Sequence, residues 1–306
     1  MEDTVHYLLA PMIGVLITAM NAINSRFSTE AGNLRSILIV HLVGLAAVSL
    51  VIAARRERSR HGRPPLHIYA GGIVGVGTIF ACNVAYANMD TSLAVSLSLM
   101  GQTTFSLFVD TTGFLGRKKY PLGPGALPGF ALALIGIIVI SGFSFQSIAY
   151  APFALLAGML PAFSFILNAQ LAGSIGILRS TRANYVTGFA TTLLIAVLWS
   201  LSGSASGVGS IDGFMAAVAK AGPVLALGGG LLGVIMVGLA NFVFPRLPAL
   251  YATLLMFSGQ ALAGVALDWV YRGALDIRTV IGTLTVLAGL GLNAAIAGRR
   301  TSAGTS

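Results

Sequence analysis

The chain has 306 residues, of which 56% are hydrophobic and only 9% are charged, and its mean hydropathy is +0.88. Because a soluble domain carries about 25% charged residues, this composition excludes an ordinary soluble globular protein and indicates an integral membrane protein. The formal net charge is +9, but the positive residues lie in short loops between apolar runs, where they indicate membrane orientation rather than nucleic-acid binding. Cys82 is the single cysteine, which excludes a disulfide within the chain.

Ten apolar runs are long enough to cross a bilayer, since a transmembrane helix needs about 20 residues. They lie at 7–26, 35–54, 67–88, 91–113, 123–143, 150–171, 183–202, 223–244, 248–271 and 278–297. With the amino end in the cytoplasm, thirteen of the eighteen Lys and Arg residues fall on the cytoplasmic side and five on the outer side. Positive residues mark cytoplasmic loops, so both termini are predicted to be cytoplasmic. The amino end lacks the positive segment of a signal peptide, and the first run is expected to remain as a span.

One polar pattern inside the membrane occurs twice, because the stretch 91–116 returns as 249–273. At an offset of 158 residues, Ala94 falls on Ala252, Gly101 on Gly259, Gln102 on Gln260 and Asp110 on Asp268. Polar residues within a span are costly, and their return at one offset indicates an internal duplication.

The duplication covers nearly the whole chain. An offset of 144 lays Gly14 on Gly158 and Asn24 on Asn168, and the change of offset falls mainly in the Gly- and Ser-rich stretch 202–222, which we interpret as a loop. The predicted repeats are 1–146 and 147–306, each with five spans. Because five is odd, the second repeat enters the membrane from the opposite side. The predicted fold is therefore all-α, with ten transmembrane helices in two inverted repeats, as in many secondary transporters; the alternative is a duplication that only enlarged a helix bundle.

These residues resemble the drug/metabolite transporter superfamily, and more narrowly its YdcZ-like branch of bacterial inner-membrane exporters. The pattern that carries the resemblance is GQ-x3-S-x3-D-x2-G-x2-G before Pro-Leu, which reads Gly101-Gln102, Ser106, Asp110, Gly113, Gly116 and Pro121-Leu122. The second copy departs from it at Gly264, Tyr271 and Asp276-Ile277. The resemblance implies an inner-membrane location and a central cavity lined by spans 1, 3, 4, 6, 8 and 9. It also implies alternating access without ATP hydrolysis.

Six amide side chains form the predicted transport pathway. Gln102 and Gln260 lie near the middle of their spans, whereas the asparagines lie roughly 7–10 Å from the middle at 1.5 Å rise per residue. Asn24 and Asn83 are displaced toward the outer face, and inversion displaces Asn168 and Asn241 toward the cytoplasm. Amides bind a polar substrate without the desolvation cost of a buried charge. The alternative is that these amides only join helices by hydrogen bonds.

The two aspartates lie further from the bilayer centre, each ~12 Å away and on opposite sides. Asp110 and Asp268 therefore cannot share one proton. We favour an interfacial ion pair or loop clamp, with Arg272 four residues after Asp268, over proton coupling or a gate. His41, near the middle of the second span, is interpreted as a packing residue rather than a proton relay.

The predicted function is secondary transport of a small polar or amphipathic metabolite, with export implied by the resemblance. The alternative is a non-transporting or lipid-handling membrane subunit. An intramembrane enzyme is disfavoured, because the chain holds no HExxH, GxSxG or G-x4-GK[ST] motif. No catalytic residue, metal or cofactor is predicted. The expected partners are a small-molecule substrate and the lipid bilayer, without nucleic acid; a monomer is sufficient, and the pattern is compatible with a homodimer.

Overall fold

A computed structural model describes residues 2–55, 64–116, 127–141, 149–202, 211–243, 249–274 and 276–303. Within these residues the regular structure is helical, with ten α-helices and two short 3₁₀ segments, Leu66–Ala70 before α3 and Phe114–Gly116 after α4. The helices are α1 Glu2–Ala31, α2 Asn33–Arg55, α3 Gly71–Asn88, α4 Thr91–Thr112, α5 Leu127–Ser141, α6 Ala151–Ile175, α7 Ile177–Leu201, α8 Ile211–Val243, α9 Ala249–Arg272 and α10 Ile277–Ala303.

Six segments among the described residues are long and apolar enough to cross a membrane. They are Leu8–Ala31, Asn33–Arg55, Leu66–Asn88, Ala151–Ile175, Ile177–Leu201 and Val218–Ala240. Shorter apolar segments lie in α5 and α10. Helices α4 and α9, with 22 and 24 residues, are also long enough to span a bilayer. The prediction of a helical membrane protein is confirmed.

The chain divides into two compact units, and each takes segments from both predicted repeats. Unit 1 comprises Met1–Thr18, Asn88–Ala162 and Val243–Ser306, and unit 2 comprises Ala19–Ala87 and Phe163–Phe242. The division falls after Thr18 in α1 and after Ala162 in α6, which are equivalent positions at the offset of 144.

Tight glycine turns join α1 to α2 and α6 to α7 in unit 2. Gly32 and Gly176, again 144 residues apart, have φ angles of 86° and 95°. A left-handed conformation costs glycine little, and it ends a helix. The N–H of Gly32 donates to Ser28 O at 2.9 Å, and that of Gly176 donates to Ala172 O at 2.9 Å. The sequence repeat is thus also a repeat of local structure.

Helices α5 and α10, which are equivalent in the two predicted repeats, pack closely in unit 1. A Cβ atom added to Gly136 would lie 2.6 Å from Gly282 O, and one added to Gly289 would lie 2.5 Å from Gly129 O. Residue numbers rise along α5 as they fall along α10, so the pair is antiparallel. Small residues permit this approach.

Helices α2 and α7 form the corresponding pair in unit 2. Gly44 of α2 lies against the ring of Tyr185, and Gly188 of α7 lies against the ring of His41. Each glycine accommodates the aromatic residue of the other helix, and the two contacts again run in antiparallel order. The ring centroids of His41 and Tyr185 lie 6.0 Å apart, edge to face.

The interpretation of 202–222 as a loop is wrong for residues 211–221. They form the first part of α8, which bends at Gly222 (φ 77°) before Pro223. Val218 and Ala221 pack against the apolar cluster Phe27, Ala31, Ile39 and Ala226. Residues 203–210 lie outside the described part of the chain. The second repeat therefore contains an inserted helical segment in place of part of a loop.

Candidate functional site

Gln102 and Gln260 each lie at a point in unit 1 where two helices cross closely. Gly14 of α1 lies against Met256 O and the backbone N of Gln260, and a Cβ atom at Gly14 would come within 2.7 Å of that nitrogen. A crossing at the equivalent positions joins α6 to α4, where a Cβ atom at Gly158 would lie 2.9 Å from the backbone N of Gln102. The same close approach therefore occurs once per predicted repeat.

The glycine that precedes each glutamine closes the same crossing from the other side. Gly101 lies against Leu155 O, and Gly259 lies against Pro11 O. Leu155 and Pro11 are equivalent at the offset of 144. The Gly-Gln pair thus has a physical explanation: the glycine admits the neighbouring backbone, and the next residue is the glutamine at the crossing.

The two glutamines differ in exposure. Gln260 is buried, with 5% of its surface exposed, while Gln102 is half-buried. Thr18 Oγ1 donates a hydrogen bond of 3.2 Å to Gln260 O and ties α1 to α9. The position equivalent to Thr18 is Ala162, which has no hydroxyl group and cannot donate an equivalent bond to Gln102. The role of both amide side chains in substrate contact stays a prediction.

Asn24 and Asn168 lie in equivalent settings in unit 2. The Oδ1 atom of Asn24 lies against Gly229 of α8, and that of Asn168 lies against Gly71 of α3. No N–H or O–H donor in the described part of the chain reaches either oxygen. Their position against the glycine Cα atoms fits weak Cα–H···O contacts. A side chain at either glycine would displace the amide.

Further hydrogen bonds connect the asparagines to neighbouring helices. Asn83 Nδ2 donates to Asn33 Oδ1 at 2.8 Å, and Asn168 Nδ2 donates to Asn184 Oδ1 at 3.0 Å and to Ser164 Oγ at 3.2 Å. These contacts correspond to the helix-joining interpretation. The side chain of Asn241 lies outside the described residues, and a substrate role for the four predicted asparagines stays a prediction.

Sequence reasoning missed Asn33 and Asn184. Their equivalents at the offset of 144 are Ile177 and Val40, so the repeat signal could not identify them. Asn33 follows directly after Gly32, and its position at the first residue of α2 is the one local feature that could have suggested a polar contact.

Asp268 binds the start of another helix in unit 1. Its Oδ1 accepts the backbone N–H of Thr91 at 2.9 Å, and its Oδ2 accepts that of Ser92 at 2.8 Å. Asp268 is 7% exposed and Ser92 is 1% exposed. Asp90, at the N-cap of α4, makes no capping hydrogen bond with its side chain. This geometry is a clamp on a helix start; the side chains of Asp110 and Arg272 lie outside the described residues.

The departure from the pattern around Asp268 also has a structural consequence. Helix α4 ends at Thr112 before Gly113, which has a φ angle of 70°, whereas α9 continues to Arg272 before Gly273, at 72°. Because Tyr271 replaces the first glycine of the pattern, α9 runs two residues further than its equivalent before a glycine ends it.

His41 is enclosed between α2 and α7. Its Nδ1–H donates to Ile37 O at 2.8 Å, and its ring lies against Gly188. It is 2% exposed. These contacts are those of a packing residue. Among the described residues, no three His, Cys, Asp or Glu side chains come together as a metal site would require.

Comparison with solved structures found thirteen matching chains. One, described as "Crystal structure of protein", is 19% identical, with a TM-score of 0.56, and the match covers 95% of this chain and 98% of that chain. At this identity the likeness shows a shared fold alone. Comparison with curated proteins found no match.

Comparison with protein families gives a match in each half of the chain. The family model described as "Putative inner membrane exporter, YdcZ" matches residues 5–139 and again residues 149–292. The two matches account for most of the chain, and they agree with the internal duplication seen in the sequence and in the repeated contacts. The chain therefore belongs to the YdcZ family of inner-membrane exporters, as a tandem of two family units.

Proposed function

We propose that the protein is a secondary transporter that exports a small polar or amphipathic metabolite by alternating access. In this proposal ten spans form two inverted five-helix repeats, with both termini in the cytoplasm. The observation that carries it is the pair of equivalent crossings at Gly14 and Gly158, where the first helix of each repeat packs against the fourth helix of the other. Two equivalent half-sites give a transporter two equivalent states between which it can rock.

Antiparallel packing of equivalent helices supports the inversion. Helices α5 and α10 in unit 1 and α2 and α7 in unit 2 each pair a helix with its repeat equivalent in opposite direction. Repeats of the same orientation would give parallel pairs.

The central glutamines support a neutral polar substrate. Gln102 and Gln260 present amides, which donate and accept hydrogen bonds without a net charge. The buried carboxylate of Asp268 already accepts two backbone N–H groups, so the described interior offers no unsatisfied buried carboxylate as a counter-ion for a cation. Asn24, Asn83, Asn168 and Asn241 remain our candidates for the two mouths of the pathway.

The test begins with purified protein screened against metabolites by thermal shift, since a ligand of the native state raises apparent stability. The ligand found is then used in proteoliposome flux measurements with Gln102→Ala and Gln260→Ala. Loss of a hydrogen bond to substrate costs about 1–3 kcal/mol, so each variant should lose roughly 5- to 150-fold in transport efficiency. Gln170→Ala, at an exposed position of α6, is the matched control and should transport normally.

Two outcomes would contradict the proposal. Normal flux in both glutamine variants would exclude the amides from the pathway. Stabilisation by phospholipid alone, with no metabolite flux, would favour the lipid-handling alternative.

A further inference from the structure

We propose that Asp268 is a positioning residue: its carboxylate fixes the start of α4 to α9, so that the helices carrying Gln102 and Gln260 keep one mutual arrangement. The inference deepens the proposed function, because it assigns a role to a residue beside the predicted pathway. It separates that role from proton coupling, which the sequence left open for this aspartate.

The start of α4 needs hydrogen-bond acceptors from outside the helix. A helix begins with backbone N–H groups that have no partner within the helix. Asp90 stands at the N-cap, yet its side chain makes no capping hydrogen bond. Asp268, 177 residues along the chain from Thr91, supplies both acceptors instead. The start of α4 therefore depends on α9 for its cap.

The start of α4 compensates the charge of the Asp268 carboxylate. A carboxylate with 7% exposure close to the membrane edge loses most of its hydration, and it requires compensation. Two charge-assisted hydrogen bonds and the positive end of the α4 dipole provide it. Protonation would remove an acceptor from one of the two N–H groups, so a proton carrier at this position would open the clamp in every cycle.

The helices α4 and α9 pack closely around the clamp. A Cβ atom at Gly264, one turn before Asp268, would lie 3.3 Å from Ser92 Cα and 3.4 Å from Val95 Cγ2. The backbones are therefore close enough for a short aspartate side chain to reach the N–H groups. Residues 91–99 are all buried, which leaves the clamped segment no solvated side. A substitution that releases the clamp cannot be compensated by water.

A double-mutant cycle in the purified full-length protein tests the clamp without any substrate. Thr91→Pro removes one donor but fits the backbone, because proline is favoured at the first helical position and Asp90 already has the extended conformation (φ −61°, ψ 143°) that precedes proline. Asp268→Ala should lower Tm by about 5 °C, and Thr91→Pro should lower it by a smaller amount. The double variant should be no less stable than Asp268→Ala alone.

Thr91→Ala is the matched control, because it shortens the side chain and keeps the N–H group. Its effect on Tm should add to that of Asp268→Ala. If Thr91→Pro and Asp268→Ala also prove additive, the N–H of Thr91 and the carboxylate act independently and the proposal is wrong. Should Asp268→Ala fail to fold, Asp268→Asn, which keeps one acceptor oxygen, replaces it in the same cycle.

A second measurement separates positioning from a general loss of stability. Spin labels at the exposed positions Thr104 of α4 and Leu262 of α9, in a background where the free Cys82 is replaced by Ala, report the distance between the two helices. A control pair at Leu42 and Val186, both exposed in unit 2, reports α2 and α7. Asp268→Asn should broaden the first distance distribution and leave the second unchanged. Broadening of both distance distributions, or of neither, would overturn the positioning role. Neither the Tm cycle nor the distance measurement depends on transport, so a negative result for the clamp is distinguishable from a negative result for the proposed function.

Discussion

At the scale of single residues, glycines determine how closely the helices approach. Gly14→Ala and Gly158→Ala would each place a methyl group against a backbone carbonyl of the crossing helix, and we expect each to lower Tm by several degrees because backbone cannot move aside as a side chain can. Gly238 of α8 has nothing within 4 Å of an added Cβ. Gly238→Ala should leave Tm unchanged or raise it slightly, since alanine favours helix; equal losses at all three positions in thermal unfolding would argue against specific crossings.

A second pair of equivalent glycines, Gly75 and Gly233, differs in packing, and a second substitution should reverse the effect of a methyl group at Gly233. A Cβ atom at Gly233 would lie 2.5 Å from the hydroxyl oxygen of Tyr185, whereas nothing lies within 4 Å of one at Gly75. We expect Gly233→Ala to destabilise the protein and Gly75→Ala not to. Removal of the hydroxyl in Tyr185→Phe should restore the Tm of Gly233→Ala, because the remaining neighbours, Met20 Sδ at 3.4 Å and a ring carbon of Tyr185 at 3.8 Å, are at ordinary van der Waals distances. Thermal unfolding of the four variants measures this, and a Tyr185→Phe change without rescue would contradict it.

How far the site could be predicted differs from residue to residue. The sequence repeat identified Gln102 and Gln260. The glycines that contact the backbone beside them are related by the same offsets. The partners of Asp268 could not be predicted from the sequence. They are backbone N–H groups, which almost every residue type has, and Thr91 is distant from Asp268 in the chain. Asn33 and Asn184 escaped because neither is repeated.

At the scale of helices, each predicted span overlaps a helix in the described part of the chain. Six segments there are long and apolar enough to cross a membrane, and a crossing by all ten helices stays a prediction. Helix α8 begins before its predicted span. Residues 202–222 read as a loop because glycine and serine dominate their first half, while 211–221, IDGFMAAVAKA, is rich in helix-forming residues. The composition of 202–222 taken as a whole concealed the helix-forming residues of its second half.

The sequence repeat predicts a second clamp, in which Asp110 binds the start of α9. At the offset of 158, Thr91 corresponds to Ala249, the first residue of α9, and Asp268 corresponds to Asp110. We expect the effects of Ala249→Pro and Asp110→Ala on Tm to be non-additive, as we expect for Thr91→Pro and Asp268→Ala. The crossed pair, Ala249→Pro with Asp268→Ala, should be additive, because these residues belong to opposite ends of the helix pair. Additivity in both cycles would limit the clamp to the second repeat.

At the scale of the whole molecule, the proposed function requires that two five-helix repeats cross the membrane in opposite directions. Charge distribution predicted the orientation, and the antiparallel contacts of α2 with α7 and α5 with α10 support the inversion. The composition of the two compact units could not be predicted, because contacts between repeats rather than within them decide it.

The most direct measurement of this claim labels equivalent positions in intact cells. Thr112 of α4 and Val270 of α9 are 158 residues apart, and both are exposed. As single cysteines in a Cys82→Ala background, they would be treated with a membrane-impermeant maleimide before and after permeabilisation. Inversion predicts that position 270 reacts in intact cells and that position 112 reacts only once the membrane is opened. Reaction of both positions from the same side would contradict the inverted repeat and, with it, the proposed transport mechanism.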